Sequence, residues 1–212
     1  MKPIHRVAVI GGTGKSGKYL VKQLLKQNFA IKLLHRKPET LDIDNPLIEI
    51  VKGDARDYNA IHSLLAGCDA VLSCLSQPVG EPTIFSDATR NILKAMAAHN
   101  ISRYITTAGL NVDTPFDQKS EQTQFGTRWM YENFPTTTAD RQVEYQLLTD
   151  SHTNWTMVRL PLIIQTDDVG EIIVSLTDCP GNNISATNLA LFMIAQLNSA
   201  ELVNQAPFIA DK

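Results

Sequence analysis

Gly11, Gly12, Gly14 and Gly17, interleaved with Thr13, Lys15 and Ser16, lie in the stretch VAVIGGTGKSGKYLVKQLL, where an apolar run gives way to a helical pattern. Glycines, amines and hydroxyls at such a junction are the chemistry of phosphate binding, because the N–H groups at a helix start point outward and carry the positive end of its dipole. Two loops of this kind must be told apart. A nucleoside-triphosphate loop, G-x-x-x-x-G-K-[ST], needs a lysine for the terminal phosphates and a hydroxyl for magnesium. Counted from Gly12, the hydroxyl position is Tyr19; counted back from Gly14-Lys15-Ser16, the leading glycine position is Val9, so neither frame closes. Gly11, Gly14 and Gly17 instead form G-x-x-G-x-x-G after a strand pattern and on entry to a helix, the frame that cradles a dinucleotide pyrophosphate.

The end of the second strand discriminates between dinucleotides. An acid there holds the ribose 2′-hydroxyl of NAD, whereas a basic residue accommodates the 2′-phosphate of NADP. The strand ends His35-Arg36-Lys37 without an acid. NADP is therefore expected, with NADPH preferred over NADH and Arg36 as the phosphate ligand, its planar fork suiting phosphate and able to stack on adenine.

The elements that must position these residues follow from periodicity. Short β-branched runs, IHRVAVI, AIKLLH, LIEIVK, DAVLSCL and RYITT, alternate with helical patterns from Ser16, over 57–65 and over 83–99. Such alternation predicts an α/β fold, a doubly wound, mostly parallel sheet in three layers with right-handed connections. After Gly109 the pattern weakens, and 110–138 reads as a long polar excursion with scattered aromatics. Regularity returns with a helix over 139–149, a strand NWTMVRL, a strand near 171–176 and a helix over 187–197, while the terminal APFIA adds an edge strand. No repeat or linker divides residues 1–212, so one domain is expected.

Composition narrows the function classes. With 43% hydrophobic and 19% charged residues the chain reads as globular, and a net charge of -3 leaves no basic field for nucleic acid. No apolar run approaches the roughly 18 residues of a membrane span. The basic start followed by a short apolar run reads as a first strand, not a secretory signal. Cys68, Cys74 and Cys179 form no C-x-x-C pair, which fits a reducing cytoplasm. The five histidines make no H-E-x-x-H pattern and there is no G-x-S-x-G elbow, so neither zinc hydrolysis nor serine esterase chemistry is expected, and no metal site.

GGTGKSGKYL, LLHRKPE, VKGDARD, GCDAVLSCLS, ISRYITTAGL and TNWTMVRLP together resemble the glycine loop, basic turn, Gly-Asp motif, and fourth, fifth and sixth strands of the atypical, extended-like short-chain dehydrogenase/reductases. The likeness is to the NAD(P)H-binding proteins related to NmrA and to biliverdin-IXβ and flavin reductase, and covers nearly the whole chain. The resemblance implies that Gly11, Thr13, Gly14, Lys15 and Ser16, with Gly12 and Gly17 in the same loop, surround the phosphates, and that Asp54 and Ala55 border the adenine, Asp54 accepting from its exocyclic amine. It places Cys74, Leu75 and Ser76 on the ribose and nicotinamide side, and Thr106, Thr107, Arg159 and Leu160 at the nicotinamide end.

The same family commonly uses Tyr-x-x-x-Lys, whose cation lowers the phenol pKa for proton exchange. Four residues beyond Tyr19, Tyr58, Tyr104, Tyr131 and Tyr145 stand Gln23, His62, Ala108, Pro135 and Thr149, and the lysine position of relatives falls on Asp140. Thr107 is then the hydroxyl assigned to the reacting end, and Phe116, Trp129 and Tyr131 a candidate stacking wall. The expected function is an NADPH-dependent reductase of a small planar acceptor (flavin, quinone or tetrapyrrole-like); its rival is a non-catalytic, NmrA-type sensor that reports to a protein partner.

Overall fold

The computed structural model describes residues 4–77 and 83–212; residues 1–3 and 78–82, which the one-domain expectation included, lie outside them. Strands β1 (Arg6–Ile10), β2 (Ala30–His35), β3 (Ile48–Lys52), β4 (Ala70–Ser73), β5 (Arg103–Gly109), β6 (Asn154–Leu160), β8 (Ile172–Ser175) and β10 (Phe208–Asp211) form one sheet in the order β3-β2-β1-β4-β5-β6-β10-β8. All of its pairings are parallel except β10 with β8. A second, two-stranded sheet joins β7 (Leu162–Ile164) to β9 (Asn183–Ser185).

The alternation of β1 shows why both faces of the sheet are covered. Val7 and Val9 belong to one apolar cluster, with Leu20 and Leu24 of α1 (Gly17–Lys26) and Leu189 and Met193 of α6 (Ala186–Ala195). Ala8 and Ile10 belong to the other, with Ile61 and Leu64 of α2 (Tyr58–Leu65), Ile92 and Met96 of α3 (Ile84–His99), and Tyr145 and Leu148 of α5 (Pro135–Thr149). Period two in the strands and period 3.6 in the helices thus lead to one three-layer sandwich. No helix among the described residues is long and apolar enough to cross a membrane.

Two expectations are corrected, and one element is new. The span 110–138 is not irregular: it carries α4 (Glu121–Asn133) and the first turn of α5. Thr123 is the residue α4 buries, while Phe125, Trp129 and Tyr131 are exposed. A helix that turns its aromatics outward lacks the apolar stripe by which sequence periodicity finds helices. The APFIA strand is not an edge, because β10 is inserted between β6 and β8 and leaves β8 outermost. Finally, the pair β7 and β9 had no counterpart in the sequence reading; each is three residues long, too short to show a period.

Candidate functional site

The chain runs β1 to β3 toward one edge of the sheet and resumes at β4 on the other side of β1. Between the carboxyl ends of β1 and β4 the connections diverge, which opens the crevice where ligands of such sheets lie. A cleft of about 580 Å³ occupies this place. Gly11, Thr13 and Gly14 line it from the end of β1, Arg36 and Lys37 from β2, Asp54 and Ala55 from β3, and Leu75 and Ser76 from β4. Residues far apart in sequence converge because parallel strands end at the same edge.

The glycine loop is shaped for backbone approach. Gly11 has φ of +74°, and a Cβ there would lie 2.6 Å from the Cys74 carbonyl oxygen. Its own carbonyl accepts the Gly14 amide at 3.0 Å, closing a turn that leads into α1. Gly17 sits so close to the Gly11 carbonyl that any side chain would collide with it. Helix α1 begins without a side-chain cap and without an acid in its first turn. By contrast, Asp57, Ser120 and Ser185 cap α2, α4 and α6. An open helix start beside two glycine contacts leaves donors for a diphosphate and room for its oxygens, and exposed Arg36 and Lys37 set positive charge on the adjoining wall. These residues fit an NAD(P)-type coenzyme: the loop and α1 would hold its diphosphate, with Arg36 and Lys37 on the wall beside it.

Asp54 follows β3, and its Oδ1 accepts the Arg56 amide at 2.9 Å and the Arg56 Nε at 3.2 Å. Partial burial raises its pKa, but these bonds and the nearby charges of Arg56 and Arg36 outweigh that and hold it below the ordinary value. An ionised carboxylate at the cleft wall can accept a hydrogen bond from an amine. Thr40 and Ile84 also line the cleft and were missed. Thr40 closes a turn through its hydroxyl on the Lys37 carbonyl at 2.7 Å, a signal the Pro38 turn contained; Ile84 opens α3 and gave none.

Other expected site residues take structural posts. Gly12 is packed against Leu33 and Val9 beneath the loop, Gly17 is buried, and exposed Lys15 and half-buried Ser16 stand at the start of α1. The Cys74 thiol is not on the ribose side of the cleft; it contacts the Met193 sulfur at 3.8 Å, and burial pushes it up to about 12, offset in part by a hydrogen bond with Ser16. What Cys74 offers the site is its main chain, against Gly11. The Thr106 hydroxyl points to buried Glu144 at 3.3 Å. Arg159 is wholly buried; its Nη1 lies 2.8 Å from the Asp117 carboxylate and its guanidinium stacks on Phe208 at 3.5 Å. A charge so deep in the sheet needs its partner at once, and the side chain has no reach left for a coenzyme. Thr107 and Leu160 are buried near the ends of β5 and β6, outside the cleft lining.

Asp140 accepts the amides of Phe85 and Ser86. Phe116, Trp129 and Tyr131 do not gather into a wall: all three are exposed, Trp129 meets Phe134 edge-on at 5.7 Å, and none lines the cleft. No group of three metal-ligating side chains occurs among the described residues.

Residues 11–200 match the family described as NAD(P)H-binding. The chain belongs to that family. Family membership agrees with the open α1 start and the glycine cradle, both of which fall within or border the matched span. Among curated relatives, an uncharacterized protein of Mycobacterium tuberculosis is 30% identical over 104 residues, which is 49% of this chain and 12% of that protein. The chain therefore spans about an eighth of the length of that relative. Among solved structures, a short-chain dehydrogenase/reductase from Veillonella parvula, in complex with NADP, is similar with a TM-score of 0.80 at 17% identity, over 99% of this chain and 95% of that one. An oxidoreductase from Lactococcus lactis is similar with a TM-score of 0.80 at 14% identity, over 98% and 91%. At such identities the likeness establishes the Rossmann-type fold that this NAD(P)H-binding chain shares with short-chain dehydrogenase/reductases.

Proposed function

We propose that the protein is an NADPH-dependent reductase that delivers hydride to a small planar acceptor. The observation that carries this reading is the cleft itself, in which an uncapped helix start, a glycine cradle and Arg36 converge at the divergence of β1 and β4. When bound, a reduced nicotinamide supplies the hydride; the acceptor takes it together with one proton from water, and the coenzyme is left oxidised. The protein's own residues do the positioning. Amides at the start of α1 fix the diphosphate, Arg36 selects the 2′-phosphate, Asp54 orients the adenine, and the Thr107 hydroxyl near the end of β5 steadies the carboxamide or the acceptor.

Purified protein mixed with NADPH and riboflavin, flavin mononucleotide or a quinone is expected to bleach the reduced-nicotinamide absorbance. No turnover with any acceptor, despite saturable NADPH binding, would remove the reductase reading. Arg36→Asp is expected to weaken NADPH far more than NADH; equal losses would displace Arg36 from the 2′-phosphate.

A second reading, a coenzyme sensor that binds without turnover and reports to a protein partner, is favoured by one observation. Asp140, which the sequence resemblance sets at the family's lysine position, holds its carboxylate on the amides of Phe85 and Ser86 and caps α3. Binding without turnover in the same assay is its expected signature.

A further inference from the structure

A second cavity, of about 430 Å³, opens beyond the carboxyl ends of β5 and β6, where Leu110 and Pro161 follow the two strands. Because β4, β5 and β6 are consecutive in the sheet, this cavity continues the edge that carries the coenzyme cleft. Its volume falls in the range of small-ligand sites. Phe125 of α4 and Leu162 of β7 form its rim at 64% and 66% exposure, both far more open than their apolar side chains would be in a core. Its lining contains no Asp, Glu, Lys or Arg; the polar side chains are those of Gln122, Thr123, Asn182 and Cys179.

Three details set the chemistry of this lining. The Gln122 amide donates to the Asn182 carboxamide oxygen, a link that ties α4 to the turn before β9 with uncharged groups. Burial raises the Cys179 thiol above its ordinary value and its sulfur lies 3.3 Å from the Gly181 carbonyl, so it stands there as a neutral thiol. Charges stand only outside the lining, and with both signs: Glu121 adjoins Gln122 and Asp178 adjoins Cys179, while the Arg159 and Lys119 cations also act on the Cys179 thiol. An anion entering the cavity would shed its water with no charged side chain in the lining to replace it.

We propose that this cavity is the acceptor site and that it takes an uncharged, flat ring system, a quinone or an unphosphorylated isoalloxazine, in preference to a carboxylated tetrapyrrole or a phosphorylated flavin. Phe125 and Leu162 cover the ring faces, and Gln122 and Asn182 meet its polar edge. The proposal deepens the reductase reading and rests on it for what the bound ring does, but binding is measured apart from turnover.

Riboflavin, flavin mononucleotide and menadione are titrated into the protein in the presence of NADP, where no hydride is available, and followed by flavin fluorescence or equilibrium dialysis. Riboflavin and menadione are expected to bind, and flavin mononucleotide to bind at least tenfold more weakly. Phe125→Asp and Leu162→Asp, both at exposed positions that leave the core intact, are expected to weaken the neutral ligands roughly tenfold or more and leave NADPH affinity unchanged. Equal affinity for the phosphorylated flavin, no binding of any neutral ring, or indifference to both substitutions would overturn the proposal. Neutral rings that bind here but are never reduced by NADPH would sink the reductase reading and leave the site standing; reduction that ignores both substitutions would do the reverse.

Discussion

The Asp140 carboxylate of α5 accepts the Phe85 amide of α3 at 2.9 Å, and the Ser86 amide at 3.3 Å. The residue before α3, Thr83, makes no side-chain cap of its own; its hydroxyl goes to Asp87 at 2.8 Å. One helix therefore supplies the cap of another, and does so where α3 borders the coenzyme cleft through Ile84. Asp140→Ala is expected to lower stability by about 1–2 kcal/mol in urea unfolding, the usual cost of a lost cap. Asp140→Lys should cost more, since it sets a cation against the positive end of the helix. A lysine variant as stable as the parent would show that the bond contributes nothing.

Gly17 decides whether the phosphate loop can close. Any Cβ there meets the Gly11 carbonyl, a backbone atom that cannot swing aside. Gly17→Ala is expected to lower the melting temperature and to reduce affinity for both coenzymes by at least tenfold, read by calorimetry on the folded fraction. Retained affinity would mean that the loop adapts and that main-chain contact is not what grips the diphosphate.

Arg159 separates a structural role from a coenzyme role. Besides Asp117, it donates to the carbonyls of Val112 and Ala206, so β6, β10 and the loop after β5 meet at one guanidinium. Removing one partner of a buried pair commonly costs about 3–5 kcal/mol. Arg159→Met should lose that much in denaturant unfolding, Asp117→Asn somewhat less, and the double variant less than the sum of the two. At temperatures where Arg159→Met is folded, its NADPH affinity is expected to match the parent's; a selective loss of affinity would return this residue to the nicotinamide end.

Asp54 predicts a dependence on pH. Its folded pKa lies below the unfolded one, so the unfolded chain binds more protons in the interval between them, and stability there rises with pH. The contribution is complete above about pH 4 and disappears as pH falls through the folded value. Asp54→Asn should therefore lower the neutral plateau of a stability-against-pH curve and leave its acid end unchanged, flattening the rise between them. An unchanged rise would show that Arg56 and Arg36 do not hold the carboxylate ionised.

The central architecture was legible because its signals are local and repeated. Val7 to Ile10 alternate between two cores, and the glycines fall where a strand must turn sharply into a helix. Side-chain direction was not legible. Cys74 and Arg159 sit at the positions the family pattern assigns to the site, yet each faces an apolar or paired interior, which depends on the register of neighbouring strands and on α6 and β10 packing from far along the chain. Helix α4 stayed hidden for the opposite reason, since its aromatics serve no core. The second cavity was equally invisible, because Leu110, Phe125, Pro161 and Cys179 come from four separate segments, and the two that close motifs, Leu110 and Pro161, were read with the coenzyme end.

The position of β10 has a consequence for how the molecule comes to be. Among the described residues β8 pairs with β10 alone, and β10 reaches β6 through the match of Phe208 with Arg159. A ribosome that has released the chain only as far as β9 holds β8 without a neighbour and β6 with a bare flank. Completion of that side of the sheet waits for Phe208 to Asp211 to emerge, a long-range closure of the kind that slows folding and exposes nascent chains to chaperones.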